Sequence, residues 1–563
     1  MLPSQPSHPQ PSAILNIPAR DGITLVAALY LPPGPGRCPT LFAASPYRFD
    51  NNGLPASGIF LWNGETGPIS YYLDHGYAFV HMDVRGTGRS GGDFRYHDEK
   101  EQTDLYDAIE WIARQNWCSG KVGGIGQSYY ARMQWFMGIQ NPPSLACIAP
   151  YDGNIDTYRA SAYTGGIPGL FPIHWYNNSL RAINQFPHAG EARMIDWDFI
   201  HQVRTHTTYD AFWRLRAAAE NIDSIRVPVF SIGAWSKVDY HLNGNIVGYQ
   251  RTTSNRKLLI LGGKDMFKAL ADFTSPAFHE IYLRPFYDHF LKGEQTSYCN
   301  EPEVRYFVSG RNEFSASSQW PPEDVQYRPF FLSSGPTATL VSLNDGGLSV
   351  NAPLEHDGST SYQYPDADWR GGVIATGKDG RPDSVLRVLT FVSDALKDDL
   401  EVAGPVKLVL YLSSTNRDTD IIVKLAEQYP SSSATDGQPV QPTATVLTKG
   451  WLRASHRELD VQRSLPNAPW YTHTAPSELR PGDIYRLEVA IMPVAHRFKK
   501  GNRIRISIAN GDAHATDFPY DHLYTPNKTG VDTIYHDAEH PSQLILPLCD
   551  AGNANQALQE ITS

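Results

Sequence analysis

The sequence has no stretch of apolar residues long enough to span a bilayer, and no basic n-region or apolar h-region at its N-terminus. Neither membrane insertion nor export is expected, and the expected location is cytoplasmic. There is no block of lysine and arginine, and the net charge is −11, which argues against a nucleic-acid partner. Cysteine is sparse: the five (Cys38, Cys118, Cys147, Cys299, Cys549) are scattered, odd in number and without a CxxC pair. They read as reduced, buried residues, and no thiol metal site follows from them. Histidine is unevenly spread, with none between His241 and His279.

What the chain does have is length and aromatics. At 563 residues it exceeds one core, so two or three domains are expected. Its 30 tyrosines, 23 phenylalanines and 12 tryptophans suit an aromatic-lined cleft or a well-packed core equally.

Residues 1–12 form a Pro-rich tail. Ile14–Leu31 alternates around Asp21-Gly22, a hairpin signal. Short apolar runs at Pro39–Ala44, Tyr77–Val84, Val122–Ile125 and Ala146–Ala149 alternate with a helical pattern at Thr103–Ala113. That rhythm predicts a mostly parallel sheet with helices on both faces. It breaks near Tyr151. Residues 151–226 are helical and rich in aromatics (Phe171, Trp175, Trp197, Phe199, Trp213), as expected of a cap inserted between strands. Strands return at Val227–Ile232 and Lys257–Leu261. After Trp320-Pro-Pro322, strand-like runs (Ala338–Leu343, Leu386–Val392, Val406–Leu412, Ile421–Leu425, Tyr485–Met492, Arg503–Ile508) predict an all-β jelly roll. The expected domains are 13–150 and 227–320 for the α/β core, 151–226 for the cap and 321–563 for the β-sandwich.

Lys121-Val-Gly-Gly-Ile-Gly-Gln-Ser-Tyr-Tyr130 organises the catalytic half. A short strand runs into a helix through a sharp turn, and Gly126 permits a conformation that a β-carbon would obstruct. Ser128 on such a turn projects its hydroxyl from the sheet top, as a nucleophile does, although Tyr130 stands where the usual pattern has glycine. Gly86-Thr-Gly-Arg-Ser-Gly91 fits GxGxxG, but a polar loop follows it in place of a helix, so a dinucleotide site is not expected. His97-Asp-Glu99 reads as a solvated charge cluster without ligand spacing. No metal or cofactor is expected.

Taken together, Ser45-Pro-Tyr47, Asp83-Val-Arg-Gly-Thr-Gly-Arg-Ser-Gly91, Gly126-Gln-Ser-Tyr129, Tyr209-Asp-Ala-Phe-Trp213, Phe286-Tyr-Asp-His-Phe-Leu-Lys-Gly293, Asp418-Thr-Asp420 and His496-Arg-Phe-Lys-Lys-Gly501 resemble the cocaine-esterase and X-prolyl dipeptidyl aminopeptidase family. The resemblance runs from about Ile14 to Pro547. It implies a capped α/β-hydrolase with a C-terminal jelly roll, Ser128 as nucleophile, and an oxyanion hole made by the Tyr47 hydroxyl and the Tyr129 amide. It also implies an aspartate and a histidine that this chain lacks. Lys237 stands in the aspartate's place within Gly233-Ala-Trp-Ser-Lys-Val-Asp239, and Met266 in the histidine's.

Lys237, half-buried beside Trp235 and Met266, could serve as the base or simply pair with Asp239 or Asp265. Trp235, Met266 and Trp175 are expected to line the substrate pocket. Three function classes stay open: an acyl hydrolase with a non-standard base, a non-hydrolytic isomerase, cyclase or lyase in the same pocket, or a binding protein with a dead site. The expected partners are a small-molecule substrate and, at most, a second copy of the chain.

Overall fold

The computed structural model describes residues 8–51, 64–185, 195–263, 266–354, 358–369, 385–430, 442–525 and 528–549, with side chains left out at 266–268 and 515. The chain divides into two compact units. The first comprises residues 1–160, 172–306 and 316–318, and the second 161–171, 307–315 and 319–563.

The first unit is built on β1 (Ala13–Pro18), β2 (Thr24–Tyr30), β3 (Cys38–Ser45), β4 (Ala78–Asp83), β5 (Cys118–Gly124), β6 (Leu145–Ile148), β7 (Val229–Ala234), β8 (Arg256–Leu261) and β9 (Val304–Val308). Neighbours among these nine run β1-β2-β4-β3-β5-β6-β7-β8-β9, and Glu313–Ser317 is the tenth strand, beside β9. The β1–β2 hairpin turns at Gly22, and both its pairings, β1 with β2 and β2 with β4, are antiparallel. From β4 to β9 every pairing is parallel, which the alternating strand–helix rhythm demands. β4 and β7 are buried at every position, and such strands read as continuous apolar runs in the sequence.

Three helices matter to the site: α1 (Ile69–Asp74), α2 (Glu99–Ala113) and α3 (Tyr129–Gln140). The Asp98 carboxylate accepts from the Glu101 N–H, capping α2 and starting it four residues before the apolar stripe that marks it in the sequence. α3 is buried from Tyr129 through Gly138, so it shows no polar face.

The GxGxxG-like stretch serves packing. A Cβ at Gly86 would stand 2.0 Å from the Phe94 nitrogen, and one at Gly88 2.0 Å from the Asp83 carboxylate. That carboxylate accepts from the Phe49 and Arg89 amides, each at 2.9 Å, and so ties the Tyr47 loop to the glycine loop.

Three readings are corrected. His97 is not solvated: it is 1% exposed and stacked on Tyr96, because the loop ahead of α2 folds inward. Ala338–Leu343 forms no strand, and the strand there is Gly346–Ser349. Of the cysteines only Cys118 and Cys147 are buried, while Cys299 is exposed. No described helix is long and apolar enough to cross a membrane.

The second unit is all-β. Leu400–Ser414 pairs antiparallel with Tyr485–Phe498, and Asp420–Gln428 lies between Ala444–Arg453 and Arg503–Ala509. Gln543–Leu548 pairs with both Gln326–Ser333 and Leu400–Ser414, which closes the sheet on itself and removes a free edge. Inward-facing Leu408, Leu410, Val423, Leu425, Val489 and Ile506 fill its core.

Candidate active site

The turn after β5 places Ser128 at φ 61°, ψ −114°. A non-glycine residue held there stores roughly 1–3 kcal/mol of strain, which the surrounding structure must sustain. The supports are visible. The Ser128 N–H donates to the Tyr151 carbonyl at 3.1 Å, and the Gln127 N–H donates to the Glu65 carbonyl at 2.8 Å. Gly126 has φ +127°, and a Cβ there would stand 2.4 Å from the Tyr130 Cβ. The sharp turn therefore depends on that glycine.

Ser128 immediately precedes α3, and Tyr129 is its first residue. The Tyr129 N–H has no intrahelical acceptor, and the helix N-terminus favours negative charge in front of it. The Tyr129 ring points elsewhere: its hydroxyl donates to Glu101 Oε1 at 2.7 Å. Tyr47 is fully buried, edge-on to the Tyr129 and Tyr130 rings at centroid distances of 5.9 and 6.2 Å. Burial, and then the Glu65 charge, raise its hydroxyl pKa, so the phenol stays protonated as a donor. Trp175 does more than line a wall. Its indole N–H donates to the Tyr47 oxygen at 2.8 Å, and its ring stacks on Tyr129 at 6.1 Å.

Lys237 ends the one-turn helix Trp235–Lys237 that follows β7, and it is half-buried, as Trp235 is. Its positive charge bears on Glu65, Asp152 and His241. Met266 opens the helix Met266–Thr274, and its side chain falls outside the described residues, as Asp265 does.

The site also contains groups that the sequence pattern did not single out. Glu65 is buried, and its carboxyl is pushed up to about 8, chiefly by desolvation, against the opposing charges of Lys237 and Arg132 and a smaller opposing influence of the Ser128 hydroxyl. Asp152, also buried, is pushed up to about 6 by desolvation, with Lys237 opposing. Its two oxygens accept from Gln127 Nε2 at 3.0 Å and the Ala234 N–H at 3.1 Å. The Arg132 guanidinium lies 4.8 Å from the Tyr129 ring centre and donates to the Tyr96 hydroxyl.

The hydrogen bonds shown for the described histidines nearby go to groups other than Ser128. His241 Nδ1 accepts from the Asn154 N–H at 3.4 Å, and burial, then Lys237 and Arg132, hold the ring neutral. His279 bonds the Tyr72 hydroxyl at 2.7 Å and the Phe273 carbonyl at 2.6 Å. The structure thus brings Ser128, Tyr47 and Lys237 near one carboxyl that no motif announces, with Trp175 bonded to Tyr47. Its only local cue is an acidic residue between glycines, Gly64-Glu65-Thr66-Gly67.

Residues 21–264 match the X-Pro dipeptidyl-peptidase (S15 family) profile, and residues 298–545 match the X-Pro dipeptidyl-peptidase C-terminal non-catalytic domain. Cocaine esterase from Rhodococcus sp. (strain MB1 Bresler) is 27% identical over 602 residues, spanning 94% of this chain and 97% of its own. A CocE/NonD family hydrolase from Staphylococcus aureus superposes with a TM-score of 0.78 at 24% identity, covering 95% of this chain and 93% of its own. An α-amino acid ester hydrolase superposes at 0.73 with 20% identity, covering 97% and 99%. These two likenesses concern the fold. With both domains matched in order, the chain belongs to the cocaine-esterase and X-Pro dipeptidyl-peptidase (S15) family of α/β-hydrolase-fold enzymes.

Proposed function

We propose that this enzyme is a serine acyl hydrolase that cleaves an ester, amide or related carbonyl of a small apolar or aromatic molecule, with a base other than histidine. The observation that carries the reading is Ser128 itself. It is held in a strained turn at the start of a helix, and its hydroxyl bears on the buried Glu65 carboxyl. Strain of this kind persists at sites of chemistry. Attack by the serine oxygen places negative charge on the substrate carbonyl oxygen. The Tyr47 O–H and Tyr129 N–H are the donors to receive that charge, and they gain most when it appears in the transition state.

The aromatic side chains beside the site support the substrate class. Trp175, Tyr96, Tyr129 and Phe199 form one buried cluster with ring contacts between 4.5 and 6.1 Å. Aromatic surroundings favour compact apolar groups over extended peptides. Its cocaine-esterase relative is named for an ester, which supports an ester over an X-Pro peptide here.

The test is covalent. An activated aryl phosphonate is expected to add one adduct to Ser128 by intact mass and to stop aryl-ester turnover in proportion. Unlabelled Ser128 with undiminished turnover would end the hydrolase reading. A second reading, isomerisation or elimination in the same pocket, is favoured by the absence of an imidazole at position 266. It predicts ligand turnover without consumption of water, which incorporation of ¹⁸O from labelled solvent distinguishes.

A further inference from the structure

A serine hydroxyl attacks slowly unless a neighbouring group takes its proton. The Ser128 hydroxyl bears on the buried Glu65 carboxyl and favours its ionised form. The loop bearing Glu65 is fastened to the nucleophile turn itself. Its carbonyl accepts from the amide of Gln127, the residue before Ser128, at 2.8 Å, and a Cβ at Gly126 would approach the same carbonyl to 3.2 Å. The side chain is 4% exposed, and its Oε2 is buried without a hydrogen-bond partner among the described residues. An unsatisfied buried carboxylate oxygen is costly, and burial without a partner is uncommon outside sites where the group has a chemical role.

Charged groups of the described residues face this carboxyl from three elements. Lys237, on the turn after β7, and Arg132, on α3, attract its negative form, while Asp152, after β6, repels it. The Tyr47 and Tyr130 phenols lie within its field. The other two base candidates fit less well. Asp152 spends both oxygens on Gln127 and Ala234. Lys237 bears on carboxylates on two sides, Glu65 and Asp152, which favours its charged form and leaves no lone pair for a proton.

We propose that Glu65 is the general base of Ser128, a serine–carboxylate pair in place of the serine–histidine–aspartate arrangement, with Lys237 and Arg132 as the charges that keep the buried carboxylate ionisable. The inference rests on the acyl-hydrolase reading above. As Ser128 Oγ bonds to the substrate carbonyl carbon, its proton passes to the Glu65 carboxylate and the electron pair of the C=O moves onto oxygen. When that pair returns, the bond to the leaving group breaks and the Glu65 proton goes to the departing oxygen or nitrogen. In deacylation a water proton goes to Glu65 while its oxygen attacks the acyl carbon. The proton then returns to Ser128 Oγ as the acid is released. Glu65 ends each cycle ionised, and no further reactant is needed. Burial pushes this carboxyl to about 8, close to the basicity that suits a general base near neutral pH.

The experiment follows the rate of Ser128 labelling by an aryl phosphonate against pH, alongside aryl-ester turnover, in the full-length wild type, Glu65→Gln and Glu65→Asp. Wild-type labelling is expected to rise through about pH 8 to a plateau. Glu65→Gln should label roughly 10²–10⁴-fold more slowly with no inflection. Glu65→Asp should retain an inflection and part of the rate, which a merely structural role would not produce. Circular dichroism establishes that each variant is folded, and Glu65→Asp decides the matter if Glu65→Gln is not. Labelling of Glu65→Gln at the wild-type rate, or with the inflection intact, overturns the base assignment and leaves the hydrolase reading standing. Failure of wild-type Ser128 to label at any pH, with turnover surviving Ser128→Ala, overturns both.

Discussion

The indole N–H of Trp175 donates to the Tyr47 hydroxyl oxygen across 2.8 Å. The indole thereby occupies an acceptor position on the phenol and leaves the phenol's own proton as the donor. A residue from the aromatic insertion after β6 thus orients the group that would meet the substrate oxygen. Tyr47→Phe is expected to lower kcat of aryl-ester hydrolysis by ~10² with little change in KM, as loss of one oxyanion donor does. Trp175→Phe keeps the ring and loses one hydrogen bond, worth about 1 kcal/mol, so the expected drop is about fivefold. Steady-state kinetics on one ester series reads both.

Ser128 pays for its position in backbone strain, at φ 61°. Ser128→Gly removes the nucleophile and the strain together. Hydrolysis should fall by ~10⁴–10⁶, while stability in urea rises by about 1 kcal/mol. A variant that loses activity without gaining stability would show that the turn is not strained.

Glu65 sets a pH dependence of stability whose sign follows from linkage. Its carboxyl titrates at about 8 when folded, against an ordinary glutamate value of 4.5. Between these values the folded chain holds a proton that the unfolded chain has released, so stability falls as pH rises through this window and levels off above it. Glu65→Gln abolishes this term. The stability difference, variant minus wild type, should be near zero below pH 4.5, grow through pH 8 and reach several kcal/mol. Melting curves measured in steps of pH check it.

Lys237 acts on Glu65 and Asp152 as a positive charge that lowers both pKa values. In Lys237→Met the Glu65 carboxyl should titrate higher, so activity at pH 7 drops and the midpoint of the pH–rate profile moves above 8. The plateau at high pH should stay within about tenfold of wild type, because the base is still present. Collapse of the plateau by several orders of magnitude would make Lys237 the base itself.

Gly126→Ala tests the turn without touching a reacting group. The new methyl would meet the Tyr130 Cβ at 2.4 Å, on a backbone at φ +127°. The expected cost is on the order of 3 kcal/mol or more, visible as a lowered urea midpoint.

Much of this protein was legible in one dimension. The strand–helix rhythm of the first half and the alternation of the second are local patterns, because each strand's burial is written in its own residues. The Ser128 turn was legible too, since only a glycine at 126 allows it, and so was the absence of histidine where the family's motif would place it. Segments whose state depends on distant neighbours were not. Ala338–Leu343 has strand-like composition but gains only an isolated bridge, from Ser342 to Leu386, and His97 sits among charged residues in sequence yet under Tyr96 in space.

The base belongs to this second kind. A glutamate between glycines carries no periodic signal. Its basicity is set by desolvation and by charges from α3, the turn after β6 and the turn after β7, far apart along the chain. The sequence by itself determined that Ser128 would sit on a sharp strand-to-helix turn. Only folding decided which carboxylate would be stripped of water and placed against the hydroxyl, because a pKa is a property of the surroundings and those surroundings exist only in three dimensions.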